Sequence, residues 1–286
     1  MIFSGTNRHW FIIGAEFPVG QCLAELASKL ALPYSSRRLD SREPPTVPMG
    51  MSATPLAIIA VTGETDVLAG HIAEWLELLI ENDIPLVLLS SAKVFKYNEI
   101  GSEETDEMTG DETLISLENL ARQQRRHLIV RVNQPFSLLS GDFAVDLLAK
   151  ARSEGCLRLD NLIRIAPTPA DDIAIVIHAL LQQIDCDESL WGTYHYCSVE
   201  STTEYGFAEV LLAEARQYED LAHVTLEELD DDECESNETI LDSRRIKHTF
   251  GIKPKPWRQA LSRLMRRYYR VDKTGIDKTG TDNTDA

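Results

Sequence analysis

The sequence predicts an α/β protein: a doubly wound parallel sheet followed by a smaller α/β domain of the substrate-binding type. Three observations carry this. Short apolar runs alternate with stretches whose apolar residues recur at helical spacing. The first run closes on a glycine turn that opens a helix, Gly14-Ala15-Glu16-Phe17-Pro18-Val19-Gly20. Of the 286 residues, 43% are hydrophobic, enough for a sizeable core and too many for a disordered chain.

The elements follow in order. Residues 10–14 read as a strand and its turn, and 19–30 as a helix with Leu23, Leu26, Ala27 and Leu30 inward. A second strand is expected over 34–39, and the Pro- and Gly-rich stretch 41–52 is expected to be a loop. Strands over 56–61, 86–90 and 127–132 alternate with helices over 67–80 and 112–125. The second half mixes helices (143–151, 171–181, 203–216 and 256–269) with short strands at 157–159 and 192–198. This divides the chain into a nucleotide-binding domain (1–135), a smaller domain interleaved with it (136–270), and a disordered tail (271–286) that repeats Asp-Lys-Thr-Gly.

Charge and cysteines narrow the classes of function. The formal charge is −18, which disfavours a nucleic-acid binder because the phosphate backbone rewards clustered Lys and Arg. Residues 99–112 hold seven acidic side chains and 227–238 eight more, neither with a Lys or Arg; both read as solvated loops. Residues 244–270 hold ten Lys or Arg and no acid. Arg258, Arg263, Arg266, Arg267 and Arg270 lie opposite an apolar stripe on the last helix. They would face solvent or the 227–238 block, or else an anionic lipid surface or acidic partner. Five scattered cysteines, no run of 18 apolar residues and no secretory pattern at the start suggest a cytoplasmic protein without a membrane span. His195 and Cys197 have a spacing that a zinc pair would use, but two further ligands are not in sight, so no metal is expected.

The glycine turn carries a defect. In a Rossmann-like dinucleotide fold one glycine opens the turn, a second lets the pyrophosphate approach bare backbone, and a third lets helix pack on strand. Gly14 and Gly20 stand at the outer places, but Phe17 occupies the middle one and Pro18 removes an N–H donor. A relic of the fold is expected rather than an intact cofactor loop. Arg37 and Arg38 end the second strand, where an acid would take ribose hydroxyls; they would meet a 2′-phosphate and favour NADP(H), or lie as surface arginines with no cofactor.

Several stretches, in order, resemble the extended short-chain dehydrogenase/reductase superfamily, and within it the dTDP-4-dehydrorhamnose reductase (RmlD-like) family. Leu89-Ser90-Ser91-Ala92-Lys93-Val94-Phe95 resembles I-S-T-D-Y-V-F, Val130-Arg131-Val132 resembles L-R-T, and Gly141-Asp142-Phe143 resembles G-x-N-F. Pro167-Thr168, Asp171-Asp172-Ile173-Ala174, Gly192-Thr193-Tyr194-His195 and Phe250-Gly251-Ile252 match later motifs. The resemblance implies reduction of a 4-keto sugar nucleotide by a nicotinamide hydride. A Tyr would protonate the carbonyl, a Lys four residues on would lower its pKa, and a Ser or Thr would hold the oxygen. Ser91 matches the Ser/Thr position, and Arg131 and Thr168 are implied at the substrate. Aligned through Glu118, however, the Tyr position is Gly110 and the Lys position Leu114. Two readings stand. One is a non-catalytic protein that binds a nucleotide, a nucleotide sugar or a protein partner. The other is an NADP-dependent reductase with a divergent site using Ser91, Lys93 or Tyr97. The acidic 99–112 block leads into the missing Tyr and Lys, where it would repel an anionic substrate.

Overall fold

A computed structural model describes residues 8–41, 53–61, 65–98, 100–230 and 239–273. Along the first half run β1 (Arg8–Ile13), α1 (Pro18–Lys29), β2 (Tyr34–Arg37), β3 (Thr54–Ile59), α2 (Thr65–Glu81), β4 (Leu86–Ser91), α3 (Glu112–Ala121) and β5 (His127–Val132). Then come β6 (Pro135–Phe136), α4 (Phe143–Glu154), β7 (Cys156–Leu159), β8 (Thr168–Pro169), α5 (Ala170–Ile184) and β9 (Gly192–His195). The chain closes with α6 (Glu204–Ala215), β10 (Thr225–Glu228), α7 (Arg244–Phe250) and α8 (Trp257–Lys273).

Six strands form one parallel sheet in the order β2-β1-β3-β4-β5-β9. The inner strands read as continuous apolar runs because both of their faces are covered. Alternate residues divide between the two sides. Ile12, Ile58, Leu89 and Val130 meet α1 and α5 through Leu23, Ala27, Ile173 and Ile177. Phe11, Ile59, Leu88 and Ile129 meet α2 and α3 through Leu76, Leu79 and Leu117. The chain leaves β1 toward β2 and returns on the other side at β3. The crevice at the carboxyl ends of these strands is therefore where an open α/β sheet accepts ligands.

A second lobe closes around Trp257, Phe207, Phe136, Leu148 and Met265, with β7 and β10 as a parallel pair at its edge. The boundary near residue 135 does not separate the lobes in space, since α5, β9 and α7 return from the second half to pack on the first sheet. The last helix runs to Lys273, beyond the tail boundary at residue 271. Residues 42–52, 231–238 and 274–286, which hold most of the loop, acidic and tail assignments, lie outside the described residues. Within the second acidic block, Glu227 and Glu228 belong to β10 rather than to a loop, because their backbone pairs with Arg158 and Leu159 of β7.

Candidate functional site

A cleft of about 310 Å³ opens where β4 and β5 end. Ser90, Ser91 and Lys93 line it from the β4 exit, Gln134 and Pro135 from the β5 exit, and Leu114 and Leu117 from α3. Pro18 of α1 and Asp142 and Phe143 at the start of α4 complete the wall. Ser91 caps a 3-10 turn over Ala92–Val94, its hydroxyl accepting from the Lys93 N–H at 3.2 Å. Ser91 therefore lies on the cleft. Lys93 is exposed beside it, while Tyr97 lines a separate surface depression.

Gly110 and Leu114, where the resemblance expects the Tyr and the Lys, are closely packed. A Cβ on Gly110 would stand 2.1 Å from the Lys93 carbonyl oxygen and 2.7 Å from that of Phe95. The Gly110 N–H donates to the Val94 carbonyl at 2.9 Å and that of Asp111 to the Lys93 carbonyl at 2.8 Å. These bonds strap the entry of α3 onto the 3-10 turn and leave room for glycine alone. Asp111 then caps α3, accepting from the Leu114 N–H at 2.9 Å, and Leu114 is buried in the cleft wall.

Arg131, implied at the substrate, is instead 1% exposed and committed to the core. Its Nε and Nη2 donate to the two Glu118 oxygens at 2.8 and 2.7 Å, and Arg122 and the Ser90 hydroxyl donate to the same carboxylate at 2.6 Å each. Burial by itself raises the Glu118 pKa, but the hydrogen bonds and charge of Arg131, with Ser90 and Arg122, hold it below the usual carboxylate range. The reason for the placement is the strand period: Arg131 follows Ile129 on the β5 face covered by α3, so it meets Glu118. His195 stacks a further neighbour on this network, with Nε2 3.1 Å from Arg131 Nη1 and Nδ1 3.1 Å from the Ser102 carbonyl. Burial and the Arg131 charge push its pKa down to about 3, so the neutral ring accepts from Arg131 and donates to Ser102. Thr168 is also buried, donating to the Ala166 carbonyl at 2.8 Å and accepting from the Ser198 N–H at 3.2 Å; it stitches loops and does not line the cleft. Cys197 donates its thiol to the Leu241 carbonyl at 3.1 Å. Among the described residues, no group of three or more His, Cys, Asp or Glu is placed to hold a metal ion.

The glycine loop keeps its backbone roles, and the Phe17 ring packs over its turn. Gly14 adopts φ +83°, and a Cβ on Gly20 would lie 2.2 Å from the Gly14 carbonyl oxygen, so helix and strand do meet through glycine. Phe17 packs back over this turn with the apolar cluster on the α2 side; its Cδ2 would be 3.2 Å from a Cβ on Gly14. The Gly14 and Ala15 N–H groups donate to the Arg37 carbonyl at 3.0 and 3.3 Å, and Phe17 donates to Gly14 at 3.1 Å. Pro18 lacks an N–H, and the Gly14, Ala15 and Phe17 donors are spent inside the protein. Glu16 turns its carboxylate onto the Leu39 N–H at 2.8 Å, and Arg38 pairs with Asp40 at 3.1 Å. Arg37 donates to the Ser36 carbonyl at 3.1 Å. A 2′-phosphate would thus meet two carboxylates near the arginines expected to bind it.

Charged blocks read as free loops are tied down in part. Glu104 accepts from the His195 N–H at 2.9 Å, Glu103 pairs with Arg244, and Ser102 bridges Leu241. On α8, Arg258, Arg263 and Arg267 pair with Glu200, Asp171 and Glu25 at 2.9, 2.7 and 3.3 Å, so these three bind the sheet lobe and its loops. Among the described residues no helix is long and apolar enough to cross a membrane. A larger cavity of about 540 Å³ lies between α1, α5 and α8, but it shares no residue with the strand-end cleft. Its Cys22 thiol is pushed up to about 12, by burial first and then by Asp171 and Glu25.

A family model described as the RmlD substrate binding domain matches residues 59–270. The chain belongs to that family. A dTDP-4-dehydrorhamnose reductase from Clostridium acetobutylicum superposes with a TM-score of 0.75 at 14% identity, over 91% of this chain and 99% of that one. A dTDP-4-dehydrorhamnose reductase from Bacillus anthracis in complex with NADP gives 0.74 at 15%, again over 91% and 99%. A dTDP-glucose 4,6-dehydratase from Streptomyces venezuelae with NAD bound gives 0.69 at 12%, over 93% and 98%. At these identities the likeness is one of fold. A search of curated proteins found no match. Within this RmlD-type frame, sequence reasoning missed Gln134 on the cleft. The only signal was an Asn-Gln-Pro step at the exit of the fifth strand.

Proposed function

We propose that this RmlD-family protein binds a nucleotide sugar in the strand-end cleft without reducing it. The observation that carries the reading is the closure of the Tyr and Lys positions, with Gly110 pressed against two carbonyls and Leu114 buried in the wall. Acid–base catalysis typically contributes about 10²–10⁴-fold, and neither of the usual groups is present to supply it. The filled glycine loop supports the same reading from the cofactor side, since hydride transfer needs a dinucleotide laid across it. What the cleft offers is recognition: the Ser91 hydroxyl, the Lys93 ammonium and the Gln134 amide among leucines. Ser91 and Lys93 also favour a second reading, an NADP-dependent reductase working through a divergent pair.

Thermal-shift titration separates the two, because a ligand that binds only the folded state stabilises it by about 2.7 kcal/mol at 100 times its Kd. The expected result is a rise in Tm with dTDP-glucose and none with NADPH or NADH. Consumption of NADPH with a 4-keto sugar nucleotide should stay at the background rate. Turnover above background would overturn the binding reading in favour of the reductase.

A further inference from the structure

We infer that the cavity between α1, α5 and α8 is a second ligand site, and that it takes a small uncharged apolar molecule. The cavity holds about 540 Å³, within the range of sites that enclose a small ligand, and shares no residue with the strand-end cleft. Four parts of the chain build it. Cys22 and Leu26 of α1 form one wall, and Asp171 and Ile175 of α5 the next. Leu264 and Tyr268 come from α8, and residues 136–140 close the end. A concave space walled in this way admits a small molecule rather than a flat partner surface.

The walls are apolar where solvent would favour polar side chains. On α5, Ile173, Ala174, Val176 and Ile177 are buried, whereas Ile175 between them is 46% exposed and lines the cavity. On α8, Trp257, Leu261, Met265 and Tyr269 recur at helical spacing and fill the core of the second lobe. Leu264 and Tyr268 form a second, partly buried stripe beside them, on the cavity. Leu138 and Leu139 of the loop and Leu26 of α1 are likewise only partly buried. Six apolar side chains from three helices and a loop thus converge on one space with part of their surface uncovered. A single exposed apolar residue needs no explanation, whereas a contiguous set marks a binding surface.

The charges around the cavity decide what it takes. Glu25 Oε2 accepts from Lys29 Nζ and Arg267 Nη2, each at 3.3 Å, and Asp171 Oδ2 accepts from Arg263 Nη2 at 2.7 Å. Both carboxylates and their cations are therefore already matched. A charged ligand would meet a like charge whichever its sign: an anion faces Glu25 and Asp171, a cation Lys29 and Arg267. Burial first, then Asp171 and Glu25, push the Cys22 thiol up to about 12, so it too is uncharged at neutral pH. What remains is apolar surface, and an uncharged ligand covers it without breaking an ion pair.

The test uses the full chain and two fluorescent probes with the same rings, uncharged N-phenyl-1-naphthylamine and its sulfonate, 8-anilinonaphthalene-1-sulfonate. The neutral probe should bind saturably at one site per chain, and the sulfonate roughly tenfold more weakly. Ile175→Asp, at a position already open to solvent, should melt close to wild type and lose roughly tenfold in affinity for the neutral probe. Ile175→Leu should bind it like wild type, and Leu138→Asp repeats the loss from the loop wall. Equal affinity for the two probes, or no saturable binding of the neutral one, overturns the inference. Wild-type affinity in both Asp variants overturns it too. A chain that sediments as a dimer, split by Ile175→Asp, assigns the face to a second copy and overturns it as well.

Discussion

A methyl group at position 110 would sit 2.1 Å from the Lys93 carbonyl, and the turn it would displace carries Ser91 and one side of the cleft. Gly110→Ala should therefore destabilise the protein by about 2 kcal/mol, as overpacking typically does, read as a lower denaturant midpoint at unchanged slope. By the same geometry, Gly110→Tyr with Leu114→Lys should not restore reduction, because the backbone has closed over the place where the hydroxyl belongs. Phe17 is a different case. Gly14 and Gly20 remain in their roles, so Phe17→Gly should open the turn and give measurable NADH affinity in a thermal-shift titration. No gain in affinity would mean that the spent N–H groups, rather than the ring, close the loop. The residue substitutions themselves were legible in the sequence. Their consequence was not, since Gly110 could have been an open gap and proved to be a tight contact.

At the level of elements, α3 and β5 are joined by the buried Glu118–Arg131 pair, with His195 of β9 resting on it. Removing one partner leaves an uncompensated buried charge, so Arg131→Met should cost about 3–5 kcal/mol in equilibrium unfolding. His195 adds a pH dependence. Its pKa is about 6.5 when unfolded and about 3 when folded, so the unfolded state binds the extra proton between these values. Stability should fall as pH drops from about 6.5 toward 3, and His195→Asn should flatten part of that slope in urea melts at several pH values. The lowered Glu118 pKa acts in the same direction at the acid end: its stabilisation is present above about 4.3 and is lost as pH falls through the folded value. Period-two alternation along β5 does put Arg131 opposite Val130 and Val132, and that much is readable from sequence. That α3 delivers a carboxylate to the same point is a tertiary fact.

For the whole molecule, two lobes share one chain that crosses between them repeatedly, and the cleft lies where β5 hands over to β6 and α4. Trp257, fully buried against Phe207 of α6, anchors the second lobe. Trp257→Ala should cost about 3–5 kcal/mol and lower Tm. The exposed α8 ion pairs are worth at most about 1 kcal/mol each, so moderate salt should move Tm little by comparison. Local periodicity was enough to specify most strands and helices, because burial on one or both faces writes itself into nearby residues. It also shows Phe17 and Pro18 within the glycine loop, and Gly110 and Leu114 where the resemblance expects Tyr and Lys, since those are residue identities. Three things were decided only by the tertiary structure: the burial of Arg131, the closed backbone at Gly110 and the cavity between α1, α5 and α8. Each depends on groups far apart in sequence arriving at one point, such as Glu118 with Arg131 and Leu26 with Leu264, and no local pattern encodes that meeting.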